Sequence, residues 1–147
     1  MSISGKRYVQ KAMTTSGEFD IGSMRWALEP NTFCHALGDY AVLFICEPVG
    51  PQETKVTVKW LVQAEAEEGV DYDAADLSHL WDRTNLQDRD LVELNQRGVN
   101  SAGYEPGPYS TEAELLVIRF VDWYCAMADE FLSGGRKARP SLKAVSQ

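Results

Sequence analysis

Basic residues, cysteine and histidine are all scarce in this sequence, and each shortage excludes a class of function. The 147 residues carry 22 acidic and 14 basic side chains, a net charge of −8. Such an acidic chain is not expected to use nucleic acid as its main partner. The end of the chain differs, because four basic residues and no acid follow Leu132. We expect residues 133–147 to form a disordered basic tail.

Long hydrophobic runs and paired cysteines are also absent. No apolar run reaches roughly 18 residues, so no membrane span is predicted. The N-terminal stretch MSISGKRYVQKAM has no apolar core of a signal peptide, and a cytoplasmic location is expected. Cys34, Cys46 and Cys125 lie far apart, without the spacing of a metal site. Because each has apolar neighbours in the sequence, we expect all three to pack in the interior as reduced thiols.

The first half of the chain has the alternation and the turn residues of antiparallel strands. A weak strand pattern surrounds residues 6–11, and SMRWALE at 23–29 alternates apolar with other side chains. A turn at Pro30 and Asn31 leads into a short extended piece. The apolar run at 40–49 and the alternating run at 55–63 flank GPQET, which predicts a hairpin. A sheet of three or four antiparallel strands is predicted.

The second half contains two long stretches without glycine or proline. Residues 71–97 repeat apolar positions at three- and four-residue steps, with Asp73 as the predicted N-cap and Gly98 as the predicted C′ residue. Glycine and proline mark 100–111 as a loop, and 112–132 is predicted to be a second helix. Strands followed by helices, without alternation, predict the α+β class with helices packed on one face of the sheet.

One acidic residue of the predicted first helix, Asp88, lies where its charge would need a partner. Asp88 shares a helix face with Trp81, Leu91 and Asn95. An acid on a partly apolar face costs free energy unless a base, a hydrogen-bond network or a metal pairs with it. A tolerated position at the boundary of that face is the alternative, and the pattern alone leaves the choice open.

The two histidines give no catalytic arrangement. His79 lies about 180° around the helix from Asp88, and His35 follows the first clear strand. We interpret each as structural or exposed. Neither a Ser/His/Asp or Cys/His arrangement nor a glycine-rich phosphate loop can be recognised. The residues by themselves indicate an acidic α+β domain with one unexplained aspartate.

Longer stretches of the sequence resemble a known family. WDRTNLQDRDLVELNQRGVNSAGYEPGPYS at 81–110 resembles the C-terminal region of the α (large) subunit of Rieske-type non-haem iron oxygenases. PNTFCHALGDYAVLFICEPVGPQETKVTVKWLV at 30–62 is similar to the branch that oxidises glycine betaine and related quaternary ammonium compounds. The resemblance implies a partial helix-grip (START/Bet v1-like) domain. Residues 1–132 are then the C-terminal part of the oxygenase catalytic domain.

The resemblance also implies a metal ligand. Family members hold a mononuclear Fe(II) with two histidines and one carboxylate. The carboxylate precedes an E-x-x-Q-x-G element, which corresponds here to Glu93, Gln96 and Gly98. The ligand position therefore falls on Asp88, and iron would offset the cost of its burial.

Three further residues are candidates for substrate binding. Trp81 and Asn85 neighbour Asp88 on the helix, and Tyr104 lies on the following loop. A quaternary ammonium group favours an aromatic cage, to which Trp81 and Tyr104 could contribute. Packing in the core is the alternative role for Trp81.

Several parts of the family pattern have no counterpart in these residues. The Cys/His ligands of the Rieske (2Fe–2S) cluster and the H-x4-H pair of iron ligands are missing. We therefore expect a C-terminal fragment that cannot turn over alone. The complete enzyme is expected to be a homo-oligomer, a trimer in family members. It would use O2 and electrons from a ferredoxin or flavin reductase to hydroxylate or N-demethylate a small substrate such as glycine betaine. A non-catalytic helix-grip ligand-binding module and an inactive gene remnant are the alternatives.

Overall fold

The computed structural model describes residues 6–134 and contains one antiparallel sheet followed by two helices. The four strands neighbour one another in chain order, so short turns connect them. The elements are β1 (Met24–Leu28), β2 (Thr32–Ala36), β3 (Ala41–Gly50), β4 (Glu53–Leu61), α1 (Ala74–Val99) and α2 (Leu115–Leu132). The predicted α+β class is confirmed, and the order of the elements is consistent with the helix-grip fold.

One face of the sheet packs against the first turns of α1. The register aligns His35 of β2 with Val42 of β3, and Val42 with Trp60 of β4. Because alternate side chains point to opposite faces, Phe44 lies on the same face as these residues. Trp81 of α1 contacts His35 and Phe44. We call this side of the sheet the α1-facing side.

The core lies where the N-terminal segment, the start of β3 and the start of α1 meet. Val9 and Tyr40 are fully buried, and Leu77 of α1 packs with them. Gly38 approaches the N-terminal segment so closely that a Cβ atom would overlap the carbonyl oxygen of Phe19. Half-buried side chains surround this core, namely Tyr8, Leu37, Trp60, Val62, Ala66, Tyr72 and Trp81.

The prediction of a strand near residues 6–11 is wrong. This segment has turns and bends because its backbone groups bond to loops instead of to a neighbouring strand. The Gln10 N–H donates to the Asp71 carbonyl over 3.0 Å, and the Met13 N–H donates to the Gly38 carbonyl over 2.9 Å. The segment therefore covers the core as an irregular, non-strand stretch of chain.

The N-cap of α1 is as predicted, and the helix ends at Val99, two residues later than predicted. The Asp73 carboxylate accepts a hydrogen bond from the Asp76 N–H over 2.9 Å, as an N-cap does. Gly98 is not the C′ residue: it remains helical, and Asn100 caps the helix in a right-handed conformation. The Asn100 N–H bonds to the Gln96 carbonyl, so this end does not require a glycine.

Among the described residues, Gly107 to Gly134 belong to a second compact unit that contains α2. The helix begins three residues later than predicted, because a turn held by Ser110 and Glu114 precedes it. Phe120 contacts the rings of Trp123 and Tyr124. The predicted tail at 133–147 lies outside the described residues, except for Ser133 and Gly134.

The three cysteines differ in their surroundings. Cys34 is buried as predicted, Cys46 is half-buried, and Cys125 is exposed on α2. The expectation that all three pack in the interior is therefore wrong for Cys125. No helix between residues 6 and 134 is long and apolar enough to cross a membrane.

Candidate functional site

Trp81 attaches the N-terminal part of α1 to the sheet. Its indole Nε1–H donates to the hydroxyl of Tyr40 over 2.9 Å. Its ring meets the rings of His35 and Phe44 edge-on, with both centroids 5.5 Å away. These are the contacts of a packing residue. A role as one wall of a substrate cage stays a prediction.

Asp88 lies on the same side of α1 as Trp81 but is exposed. A seven-residue step at 3.6 residues per turn returns to within about 20° of the starting direction. Leu77 on this side is buried and Trp81 and Asn85 are half-buried, whereas Asp88 and Val92 are exposed. The helix therefore leaves the sheet beyond Asn85. The expectation that Asp88 is buried is wrong in the described residues, because nothing there covers this turn.

A second attachment holds the C-terminal end of α1. The amide of Gln96 donates to Asn100 over 3.0 Å, and the amide of Asn100 donates to Gln52 in the β3–β4 turn over 2.7 Å. The helix is thus tied to the sheet at Trp81 and at Asn100. Asp88 lies between the two attachments, on the unattached middle of the helix.

Two apolar side chains on the α1-facing side of the sheet are also exposed. Phe33 pairs with Phe44 in register and stacks on it, so it belongs to the α1-facing side, yet it is 45% exposed. Val56 of β4 lies on the same side and is exposed as well. We use the name α1 gap for the exposed surface made of Asp88 and Val92 on the sheet-facing side of α1 and Phe33 and Val56 on the α1-facing side of the sheet. It combines one carboxylate with apolar and aromatic surface.

The described residues do not form a complete metal site. Nowhere between residues 6 and 134 do three or more His, Cys, Asp or Glu side chains cluster so that they could hold a metal ion. Arg89 pairs with Asp90 over 2.8 Å, and no ion pair of this part of the chain involves Asp88. Asp88 is therefore available as a single oxygen ligand.

His35 is the feature that sequence reasoning missed. Its side chain is 8% exposed, and its Nε2 atom has no hydrogen-bond partner among the described residues. Burial, and next the charge of Arg25, lower the pKa of His35. Alternation alone does not indicate this burial, because Phe33 on the same face of β2 is 45% exposed. His79 is exposed on α1, as interpreted.

Tyr104 lies apart from the packed part of the molecule. It belongs to the exposed loop after α1, where its N–H donates to the Ser101 carbonyl over 3.2 Å. The structure thus places Trp81, Asn85 and Asp88 along one side of α1, with Tyr104 beyond the end of the helix. The substrate-binding roles of Asn85 and Tyr104 stay predictions.

Comparison with known proteins gives consistent matches. The family model described as ring hydroxylating alpha subunit (catalytic domain) matches residues 1–130. The glycine betaine monooxygenase oxygenase subunit of Chromohalobacter salexigens is 48% identical over 145 residues, which are 99% of this chain and 32% of that protein. The subunits of the same name from Pseudomonas aeruginosa strains UCBPP-PA14 and PAO1 are 50% identical over 124 residues, 84% of this chain and 29% of theirs. The chain spans about a third of the length of these relatives.

Proposed function

Because this chain belongs to the ring hydroxylating alpha subunit family, we propose that it supplies one iron ligand to an oxygenase acting on glycine betaine or a related quaternary ammonium compound. The family places the complete enzyme among the oxidoreductases that use non-haem iron and a Rieske cluster. The substrate proposal rests on the names of the relatives and on the similarity of residues 30–62 to that branch.

The proposal of an iron ligand rests on the position of Asp88. Asp88 lies on the sheet-facing side of α1 and is exposed. Carboxylate oxygen is one of the three protein ligands in a facial Fe(II) triad. The described residues supply no second or third ligand, so we place the two histidines in another segment of the oxygenase.

The other residues of this side would position Asp88 and the substrate. The Trp81–Tyr40 hydrogen bond fixes the rotation of α1, and Asp88 follows two turns later, about 10.5 Å along the axis. The exposed ring of Phe33 and the half-buried ring of Trp81 would attract a trimethylammonium group, whereas Phe44 is buried. In the complete enzyme, one N-methyl group would be hydroxylated and released as formaldehyde. O2, a ferredoxin or flavin reductase and a homo-oligomer, a trimer as in family members, belong to this proposal.

Segment exchange with a relative tests the proposal. This chain would replace the matching third of the Chromohalobacter salexigens oxygenase subunit, and betaine-dependent formaldehyde release would be measured with the reductase. We expect the chimera to be active. Asp88→Asn should reduce activity at least about a hundredfold, since a neutral amide is a much poorer ligand for Fe(II).

Asp82→Asn is the matched control, because Asp82 is equally exposed on α1 but points away from the sheet. The control should keep the iron content and activity of the chimera. If Asp88→Asn retained both the iron and the activity, the assignment of Asp88 would be wrong. If the chimera bound iron through Asp88 but oxidised no quaternary ammonium compound, only the substrate would be wrong.

A non-catalytic binding module is the second candidate, and the exposed apolar side chains of Phe33, Val56 and Val92 favour it. Helix-grip domains can hold apolar ligands between sheet and helix without a metal. Such a ligand would bind this chain equally well after Asp88→Asn and in the presence of a chelator. The inactive-remnant alternative predicts dye binding to exposed apolar surface and no cooperative unfolding.

A further inference from the structure

A chain of hydrogen bonds joins the C-terminal end of α1 to the turn between β3 and β4. The Gln96 amide donates to the side-chain oxygen of Asn100 over 3.0 Å, and the Asn100 amide donates to the side-chain oxygen of Gln52 over 2.7 Å. The backbone N–H of Asn100 also bonds to the Gln96 carbonyl, so Asn100 is fixed to the last turn of the helix. Because a side-chain amide has one oxygen acceptor and one NH2 donor group, Asn100 bonds to the helix and to the turn at the same time.

The turn that carries Gln52 is short and stiff. Gly50 pairs with Glu53, so Pro51 and Gln52 alone form the turn. The ring of Pro51 fixes its own φ, and a two-residue turn between paired strands has few alternative conformations. Gln52 therefore gives the end of α1 a fixed point of attachment on the sheet.

Two distant attachments determine the tilt of a rigid helix. The first is the bond of Trp81 to Tyr40, and the second, at Asn100, lies about 28 Å further along the axis. Asp88 lies between them, about 10.5 Å from Trp81. If a water molecule entered between Asn100 and Gln52, their separation would grow by about 3 Å. A helix that pivots at Trp81 would then carry Asp88 about 1 Å from its place.

We propose that Gln52 and Asn100 are positioning residues for the oxygenase reaction, because their hydrogen bond holds Asp88 where it serves as an iron ligand. This inference rests on the proposed function, since it needs Asp88 to be that ligand. A misplacement of about 1 Å can reduce a rate by about a hundredfold. The Asn100–Gln52 bond is exposed and competes with water, so breaking it displaces the helix for only part of the time. The expected loss of kcat is therefore smaller, about threefold to tenfold.

Replacing the two amides by acids of the same size tests the bond in the chimera with the Chromohalobacter salexigens subunit. Gln52→Glu keeps an oxygen that accepts from the Asn100 amide. Asn100→Asp keeps the contact too, because the Gln52 amide can turn round and donate to the new carboxylate. The double variant Gln52→Glu/Asn100→Asp places two carboxylates together without a donor, so the bond is lost. Each single variant should retain the kcat of the chimera, whereas the double variant should lose about threefold to tenfold with little change in KM.

The iron content distinguishes positioning from a general loss of stability. After dialysis against a weak chelator, the double variant should retain less iron than either single variant, while the melting temperature of its iron-free form should differ little from theirs. Gln52→Glu/Gln10→Glu is the matched control, because Gln10 is exposed in the N-terminal segment and the control adds the same two charges but keeps the bond. The control should retain both iron and kcat.

The possible outcomes separate this inference from the proposed function. If the double variant kept its iron and its kcat, or if the control lost them equally, the positioning role of Gln52 and Asn100 would be wrong. If Asp88→Asn itself kept both, the assignment of the iron ligand would be wrong, and the positioning role with it. Loss of iron and kcat in Asp88→Asn and, to a smaller extent, in the double variant alone would support both.

Discussion

Removing the hydrogen bond between Trp81 and Tyr40 would test how α1 is held on the sheet. The bond spans 2.9 Å, and Tyr40 is fully buried. A bond of this kind contributes about 1 kcal/mol to the free energy of unfolding. Trp81→Phe removes the donor but keeps a ring against His35 and Phe44. Tyr40→Phe removes the acceptor and keeps the ring in the core.

The double variant separates the hydrogen bond from the packing. We expect Trp81→Phe to lower the free energy of unfolding by about 1–2 kcal/mol, because the smaller ring also leaves unfilled space. Tyr40→Phe should cost about 1 kcal/mol. The double variant breaks the bond only once, so its loss should be about 1 kcal/mol smaller than the sum of the two single losses.

Urea unfolding followed by circular dichroism measures these differences. Trp123→Phe is the control partner, since Trp123 lies on α2 with Phe120 as an aromatic neighbour. Its effect should add to that of Tyr40→Phe within about 0.5 kcal/mol. If the Trp81 and Tyr40 substitutions were equally additive, the bond would make no contribution. Trp81 would then not fix the rotation of α1 through this bond.

Three other predictions concern the core, the buried histidine and the metal. Gly38→Ala should destabilise the chain by about 1–3 kcal/mol in the same unfolding assay, because the new Cβ must displace the backbone of Phe19. A variant as stable as the wild type would contradict the close approach of these two segments. Because its pKa is lowered in the folded state, His35 binds its proton more readily in the unfolded chain, so stability should fall as the pH drops below the unfolded pKa of about 6.5. His35→Gln should reduce the loss of stability at low pH, and the exposed control His79→Gln should not. The reverse outcome would contradict the assignment of this loss to His35. The isolated chain should bind Fe(II) more weakly than about 1 μM by calorimetry, since it offers one ligand of three; tighter binding that is lost in Asp88→Ala would refute this reasoning.

Elements determined by local sequence were predictable, and those determined by tertiary contacts were not. The hairpin of β3 and β4 and the Asp73 cap follow from short-range patterns, and both are present. The N-terminal segment has a weak strand pattern, but its hydrogen bonds go to loops that are distant in sequence. Gly98 was predicted to end α1 because glycine favours that position. The capping of the helix by Asn100 made the glycine unnecessary there.

In the candidate site, too, local patterns predicted the directions of the side chains but not their burial. Helical periodicity placed Trp81, Asn85 and Asp88 on one side of α1, as the structure does. Periodicity gives the direction of a side chain, however, and not whether the sheet reaches that turn of the helix, so the exposure of Asp88 was not predictable. The role of Asp88 came from the family resemblance and stays a proposal. The burial of His35 depends on the strand register, which the sequence analysis had not assigned.

The attachment of α1 at its two ends separates the requirements of folding from those of function. Substitutions between Leu86 and Asn95 change exposed side chains, so most should alter the stability of this chain by no more than about 0.5 kcal/mol. A mutational scan selected for folding would therefore tolerate this stretch, including Asp88. On the proposed role of Asp88, a scan of the complete oxygenase selected for growth on its substrate would not tolerate the replacement of that residue. Positions at which the two scans disagree would identify the residues retained for chemistry, without any structure of the bound state.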